Sequence, residues 1–168
     1  MKIVLEPGYD HREELGALFA EYTQMLLEKK PDFGGYLEQQ GYDTELDHLR
    51  DKYGPPDGCL YLATVEGQAA GCMALRKIND QEAELKRLYV RPQFRHLGVA
   101  QKLVDQILAD ARQMGYEAVL LDTFPFLESA IRLYQRHGFY QVPSYNGTPM
   151  EELIYLRLDL KDGKREAP

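Results

Sequence analysis

Apolar positions along the chain switch between a period of two and a period near 3.6. Lys2 to Glu6 reads as a short strand, closed by Pro7-Gly8. Asp10 is placed to cap a helix with Glu13 three residues on. Leu15, Leu18, Phe19, Tyr22 and Leu26 give that helix one apolar face as far as about Lys30. Pro31-Asp32-Phe33-Gly34-Gly35 breaks it, and a second helix is expected from Thr44 to Tyr53. After the loop Gly54 to Gly58, two strands at about 59–66 and 69–78 face each other across a tight Glu66-Gly67 turn. A third strand runs through Glu84 to Val90 and stops before Pro92. Val99, Leu103, Ile107 and Leu108 restore helical spacing until Gly115. Val119 to Leu121 reads as a buried strand, Glu128 to His137 as a helix, and Phe139 to Val142 and Glu152 to Leu160 as strands. The order is β, α, α, β, β, β, α, β, α, β, β. It makes one domain, 1–160, followed by a polar tail, 161–168.

Composition narrows the function classes. With 168 residues, 44% of them hydrophobic, one domain can bury a core of its own. No apolar run approaches the roughly 20 residues of a membrane span, and the acidic N-terminal stretch is no secretion signal. A net charge of -7 argues against nucleic acid as a partner. Cys59 and Cys72 lie in strand-like apolar runs; a disulfide is open, but buried thiols of a cytoplasmic protein fit better. The four histidines, His11, His48, His96 and His137, are scattered, so no metal site is expected.

Against that acidic background one stretch stands out. Between Leu85 and Val104 the chain carries Lys86, Arg87, Arg91, Arg95 and Lys102 and no acidic residue. A strand, a short loop and a helix opening at Gly98 meet there. The first N–H groups of a helix lack internal acceptors, and the helix dipole favours negative charge at that end, so the stretch is suited to phosphates. A nucleotide-hydrolase loop would need two glycines with four residues between them, then Lys and Ser or Thr. Gly98 is instead followed by Val99, Ala100 and Gln101. A dinucleotide fingerprint would need three spaced glycines near the start of a βαβ unit. Neither is present.

The run Arg95-His96-Leu97-Gly98-Val99-Ala100 has the pattern Arg/Gln-x-x-Gly-x-Gly/Ala. It resembles the acyl-CoA pyrophosphate loop of the general N-acetyltransferase (GNAT) family. Upstream, Glu84 to Pro92 is similar to that family's central strand; downstream, Ala130-Ile131-x-Leu133-Tyr134-x-x-x-Gly138-Phe139 is similar to its late helix and following strand. The resemblance covers about residues 58 to 160. It implies an α/β (α+β) GNAT-like single-domain fold, with a mixed, mostly antiparallel central sheet and helices on both faces. It also implies acetyl-CoA as cosubstrate, held at Arg95, His96, Leu97, Gly98, Val99 and Ala100, with Ser129 or Glu128 replacing a cofactor-contacting Asn whose position is taken by Leu127. His96 stands where the family commonly has Gly, so a left-handed backbone is expected at a residue type that tolerates it.

Acetyl transfer to an amine has its own requirements. A free amine has a pKa of about 8 to 10.4 and arrives protonated, so a base is needed. The resemblance implies Glu84, directly or through water; Glu82 is the alternative, and a structural ion pair is the competing role for Glu84. On a regular strand Glu84, Lys86, Leu88 and Val90 would share one face. Tyr134 is expected to protonate the leaving thiolate, a phenol being a competent donor. A backbone N–H of Leu88, Tyr89 or Val90 would polarise the thioester carbonyl, and the same stretch would pair the pantetheine arm. The acceptor site is expected among residues 31–42, Arg76, and Ser144 to Gly147, with Phe33, Tyr36 and Tyr42 as an aromatic wall.

These features predict an N-acetyltransferase working by direct attack in a ternary complex with an amine acceptor, since no cysteine is matched to an acetyl-enzyme role. The alternative is a non-catalytic acyl-CoA sensor of the same fold; an ATP- or NAD-binding protein is a third, weaker class. The acceptor's identity and the oligomeric state, a homodimer included, stay open.

Overall fold

The computed structural model of the chain describes residues 1–31, 42–147 and 152–160. The expected tail and most of the expected aromatic wall, Phe33 and Tyr36 with the side chain of Tyr42, lie outside them. The elements follow the predicted order. They are β1 (Ile3–Pro7), α1 (Arg12–Lys29), a 3-10 helix (Tyr42–His48) leading into α2 (Leu49–Tyr53), β2 (Cys59–Val65), β3 (Gln68–Lys77) and β4 (Glu82–Val90). A 3-10 turn (Pro92–Phe94), α3 (Val99–Met114), β5 (Ala118–Thr123), α4 (Glu128–Arg136), β6 (Tyr140–Val142) and β7 (Ile154–Asp159) complete it.

The strands form one seven-stranded sheet in the order β1-β2-β3-β4-β5-β7-β6. All neighbours are antiparallel except β4 and β5. Strand alternation sends Leu60, Leu62, Cys72 and Ala74 to one face, against Leu15, Leu18 and Phe19 of α1 and Tyr53 of α2. Ala63, Met73, Leu75 and Leu85 go to the other, against Val99, Leu103 and Ile107 of α3. Each face is thus covered by helices, which is what makes the central strands almost continuously apolar. Among the described residues no helix is long and apolar enough to cross a membrane.

Four local expectations change. The cap of α1 is His11, without a side-chain bond, and Asp10 instead pairs with Arg50 at 3.4 Å. The His11 N–H closes a turn onto the Gly8 carbonyl at 3.0 Å, so the helix starts one residue later than the capping pattern predicts. The helix expected over 44–53 is half 3-10, because the segment bends to bring Glu45 under the sheet. Cys59 and Cys72 are both free and buried; they point into cores on opposite faces of the sheet, which rules out a bridge. Burial pushes the Cys72 thiol up to about 12, so it stays protonated.

The fourth change concerns β4. Its register against β3 runs Ala74 to Lys86 and then Cys72 to Tyr89, so that two residues, Arg87 and Leu88, stand opposite one, Met73. This β-bulge holds Arg87 at φ +64°. It resets the alternation: Ala83, Leu85, Leu88 and Val90 join the α3 core, while Tyr89 joins the α1 core and Arg87 reaches the Phe19 ring of α1. Glu84 therefore does not share a face with Leu88 and Val90.

Candidate active site

β4 and β5 are paired only from Glu82–Ala118 to Glu84–Leu120. Beyond that point they diverge, and among the described residues the β5-facing backbone of residues 86–90 has no strand partner. A cavity of about 70 Å³ opens in the gap, lined by Tyr22, Leu88, Asp122, Leu127 and Tyr134 among others.

The loop at the far end of β4 has the geometry its glycine pattern calls for. His96 stands at φ +65° and Gly98 at φ +92°, two left-handed residues that turn the chain into α3. A Cβ built on Gly98 would meet nothing within 4 Å, so the residue is there for its backbone conformation and lies open to a ligand. The first turn of α3 holds no acidic residue, and its first internal bond to the loop is Lys102 N–H to Gly98 C=O at 3.0 Å. The N–H groups before it are therefore available to an anion. Arg95 is folded back: its Nε donates to the Val90 carbonyl at 2.9 Å and its guanidinium lies 5.9 Å from the Tyr89 ring centre. It staples the loop to the strand end.

The five basic residues are not one island. Arg87 makes two 2.7 Å bonds to Glu45, which also takes Lys52 at 2.6 Å. Burial opposes charge on Glu45, but Arg87 and Lys52 outweigh it and hold the carboxyl down to about 2. Arg91 is clamped by Glu21 of α1 at 2.8 Å, and Lys86 Nζ lies 3.8 Å from Glu84. Acids from segments remote in sequence neutralise Arg87 and Arg91, and Glu84, just outside the basic stretch, faces Lys86, which is why a count over that stretch overstated the field. Among the described residues only Arg95 and Lys102 of the five form no ion pair.

Tyr134 lies on α4, buried, its ring tilted against Phe139 at 5.5 Å between centres, and it lines the cavity. Burial, with Tyr22 and Asp122 nearby, pushes its phenol up, so it remains protonated throughout the working pH range. Leu127 occupies the N-cap position of α4 and also lines the cavity; Ser129 is exposed two residues along, outside the lining.

Glu84 is 3% exposed and does not line the cavity. Its Oε1 accepts from Arg76 Nε at 2.9 Å and its Oε2 from the Tyr145 phenol. Burial works to raise its pKa, but Lys86, Tyr145 and Arg76 together lower it. Arg76, considered as an acceptor clamp, is thus engaged with Glu84.

Asp122 escaped the sequence reading. It sits on β5 two residues past the last β4 pairing, lines the cavity, and accepts from Asn146 Nδ2 at 2.8 Å. Burial raises its pKa, Glu84 adds to the rise, and Lys86, Asn146 and Arg87 oppose it without cancelling it. The signal available was a lone acid inside the apolar run Val119-Leu120-Leu121-Asp122-Thr123-Phe124. Tyr22 was placed on the apolar face of α1 but not at the site, and Glu45 was missed, since nothing in the 3-10 helix marks the side that meets β4.

The family model described as "Acetyltransferase (GNAT) family" matches residues 20–139. The chain belongs to the GNAT acetyltransferase family. Its enzyme class is that of the acyltransferases that act as N-acetyltransferases. An uncharacterised N-acetyltransferase of Schizosaccharomyces pombe is 36% identical over 142 residues, covering 83% of this chain and 87% of that protein. Solved structures share the fold. A GNAT acetyltransferase of Staphylococcus aureus Mu50 superposes with a TM-score of 0.77 at 18% identity, over 95% of this chain and 99% of that one. The PaiA N-acetyltransferase of Thermoplasma acidophilum, in complex with coenzyme A, does so with a TM-score of 0.73 at 16% identity, over 95% and 99%.

Proposed function

We propose that this acetyltransferase takes acetyl-CoA as cosubstrate and passes the acetyl group to a primary amine of a small molecule, by direct attack in a ternary complex. The observation that carries the reading is the continuity of the site. The open N–H groups at Gly98 lead along the unpaired edge of β4 into the cavity that holds Tyr134. The Thermoplasma acidophilum neighbour with coenzyme A bound supports the same cosubstrate. Two free, buried thiols support a reducing, cytoplasmic compartment.

The residues fit the cosubstrate. His96 and Gly98 turn the loop so that the N–H groups of Val99 and Ala100 face outward for a pyrophosphate, and Leu88, Tyr89 and Val90 offer backbone groups for an extended amide-bearing arm. The thioester supplies an activated acetyl carbon. Those same N–H groups on β4 can polarise its oxygen. Tyr134, protonated and dry, donates to the sulfur as it leaves. Removal of the ammonium proton falls to the carboxylates where β4 and β5 part. The overlying segment Tyr145-Asn146 bonds both Glu84 and Asp122, which supports an acceptor site there.

A broad amine screen with thiol detection of released coenzyme A tests the reading. Turnover above the hydrolysis background on at least one amine is expected. Tight coenzyme A binding with no amine turned over would instead make the chain a sensor of acyl-CoA.

A further inference from the structure

We infer that Asp122, and not Glu84, is the carboxylate that receives the acceptor's ammonium and takes its proton, while Glu84 is a positioning residue beside it. The inference rests on the acetyltransferase reading above and deepens it.

Three observations separate the two carboxylates. The first is access. Asp122 lines the cavity together with Tyr134 and Leu88, whereas Glu84 is buried behind it. The second is free coordination. Glu84 Oε1 is bonded by Arg76 and Oε2 by Tyr145, with Lys86 at 3.8 Å. Asp122 has Asn146 on Oδ2 at 2.8 Å, and its Oδ1 makes no hydrogen bond among the described residues. An ammonium can therefore bond to Asp122 without displacing anything. The third is the kind of partner. Lys86, the Tyr145 phenol and the Arg76 guanidinium together favour Glu84 as an anion, while Asp122 is bonded by a neutral amide whose effect does not offset burial and the charge of Glu84.

Titratable and polar groups reach Asp122 from several elements, with Tyr22 of α1 lining the same cavity and Tyr155 of β7 directly opposite it in the sheet. β4 contributes Lys86, Arg87 and Glu84; α4 contributes Tyr134; the segment before β7 contributes Tyr145 and Asn146. Arg87 is spent on Glu45. Lys86 favours the charged form of both acids. The like charge of Glu84, fixed by Arg76, raises the proton affinity of its neighbour. Two carboxylates whose surroundings push them apart in acidity are the arrangement by which one of them becomes a base near neutrality.

The proton account closes. One ammonium proton goes to Asp122 and from there to solvent, freeing the nitrogen lone pair to form the C–N bond. The C–S bond breaks with its electron pair on sulfur. The Tyr134 O–H proton goes to that sulfur, and the second nitrogen proton returns to the Tyr134 oxygen. The products are the amide, coenzyme A and one released proton.

Asp122→Asn keeps shape and the capacity to bond Asn146. It is expected to lower kcat/KM for an identified amine at pH 7 by about 100-fold or more, with coenzyme A affinity unchanged and the deficit shrinking as pH rises and free amine accumulates. Glu84→Gln is expected to cost less and to move the acidic limb of the pH–rate profile to lower pH, because it removes the like charge. A merely structural role for Glu84 would not move that limb. Retention of the limb in Asp122→Asn and its loss in Glu84→Gln would overturn the inference. Carboxyl-carbon NMR titration of the wild-type protein decides the matter without turnover: Asp122 should titrate above the ordinary value of about 3.9 and Glu84 below about 4.3. The reverse order would overturn the assignment. A screen in which no amine reacts would sink the acetyltransferase reading instead, leaving the titration to judge this one.

Discussion

The loop from Arg95 to Ala100 and the carboxylate pair Glu84 and Asp122 stand at two ends of one gap between strands, and they are built in opposite ways. The loop is assembled from consecutive residues. Its left-handed turns at His96 and Gly98, its staple from Arg95 to Val90 and its open helix start need only some ten residues of chain. The carboxylate end takes Glu84 and Lys86 from β4, Arg76 from β3, Asp122 from β5, Tyr145 and Asn146 from the stretch before β7, and Tyr22 from α1. An anion such as pyrophosphate can be read by backbone N–H groups, so local conformation suffices for it. Setting the acidity of a base takes several charges at chosen distances, which only convergence of remote segments supplies.

The largest effect is expected where the local device fails. Gly98→Asp places a side chain on a φ +92° backbone and a negative charge at the helix start. Coenzyme A binding should vanish in calorimetry while the fold survives, since the new Cβ meets nothing within 4 Å and the backbone strain is confined to one loop residue. Unchanged affinity in a folded protein would remove the phosphate site from this loop.

Tyr134→Phe comes next, with a fall in turnover of roughly 10²–10⁴-fold and little change in acetyl-CoA affinity. Because burial holds the phenol protonated, the alkaline limb of the pH profile should be the same in wild type and variant. A more acidic thiol leaving group should narrow the gap between them. Equal rates would hand thiolate protonation to water.

Glu45 tests the remote side by stability. Glu45→Ala removes the buried carboxylate that Arg87 and Lys52 both bond, and should cost about 3–5 kcal/mol in denaturant unfolding. The sign of its pH dependence follows from a carboxyl held down to about 2 in the folded protein. Its contribution is full above the unfolded value near 4.3 and lost as pH falls through about 2. The wild type should therefore lose stability in acid that the variant does not have to lose.

The smallest effect is expected at Arg95, whose Nε bonds the protein's own Val90 carbonyl. Arg95→Ala should weaken coenzyme A binding only roughly 2- to 10-fold, the worth of one hydrogen bond that orders the loop. A loss as large as that of Gly98→Asp would mean that the guanidinium itself grips phosphate.

The order of elements, the hairpin at Glu66-Gly67, the start of α3 at Gly98 and its stop at Gly115 were legible because each is written in periodicity and backbone preference over a few neighbours. The left-handed turn at His96 and Gly98, the place of Tyr134 on α4 and the family were legible for the same reason, since their spacing is carried by short runs. Three things were decided only by the folded molecule. The bulge at Arg87 changed which β4 side chains share a face, because one extra residue shifts a period of two. Glu21 and Glu45 neutralised cations that stand alone in sequence, because Coulomb interactions follow distance in space. Asp122 became the accessible carboxylate and Glu84 the pinned one, because the ladder between β4 and β5 ends at Leu120 and Arg76 and Tyr145 converge on the residue behind it. Chain-local patterns determine which elements form; where a buried charge finds its partner is settled only once those elements pack.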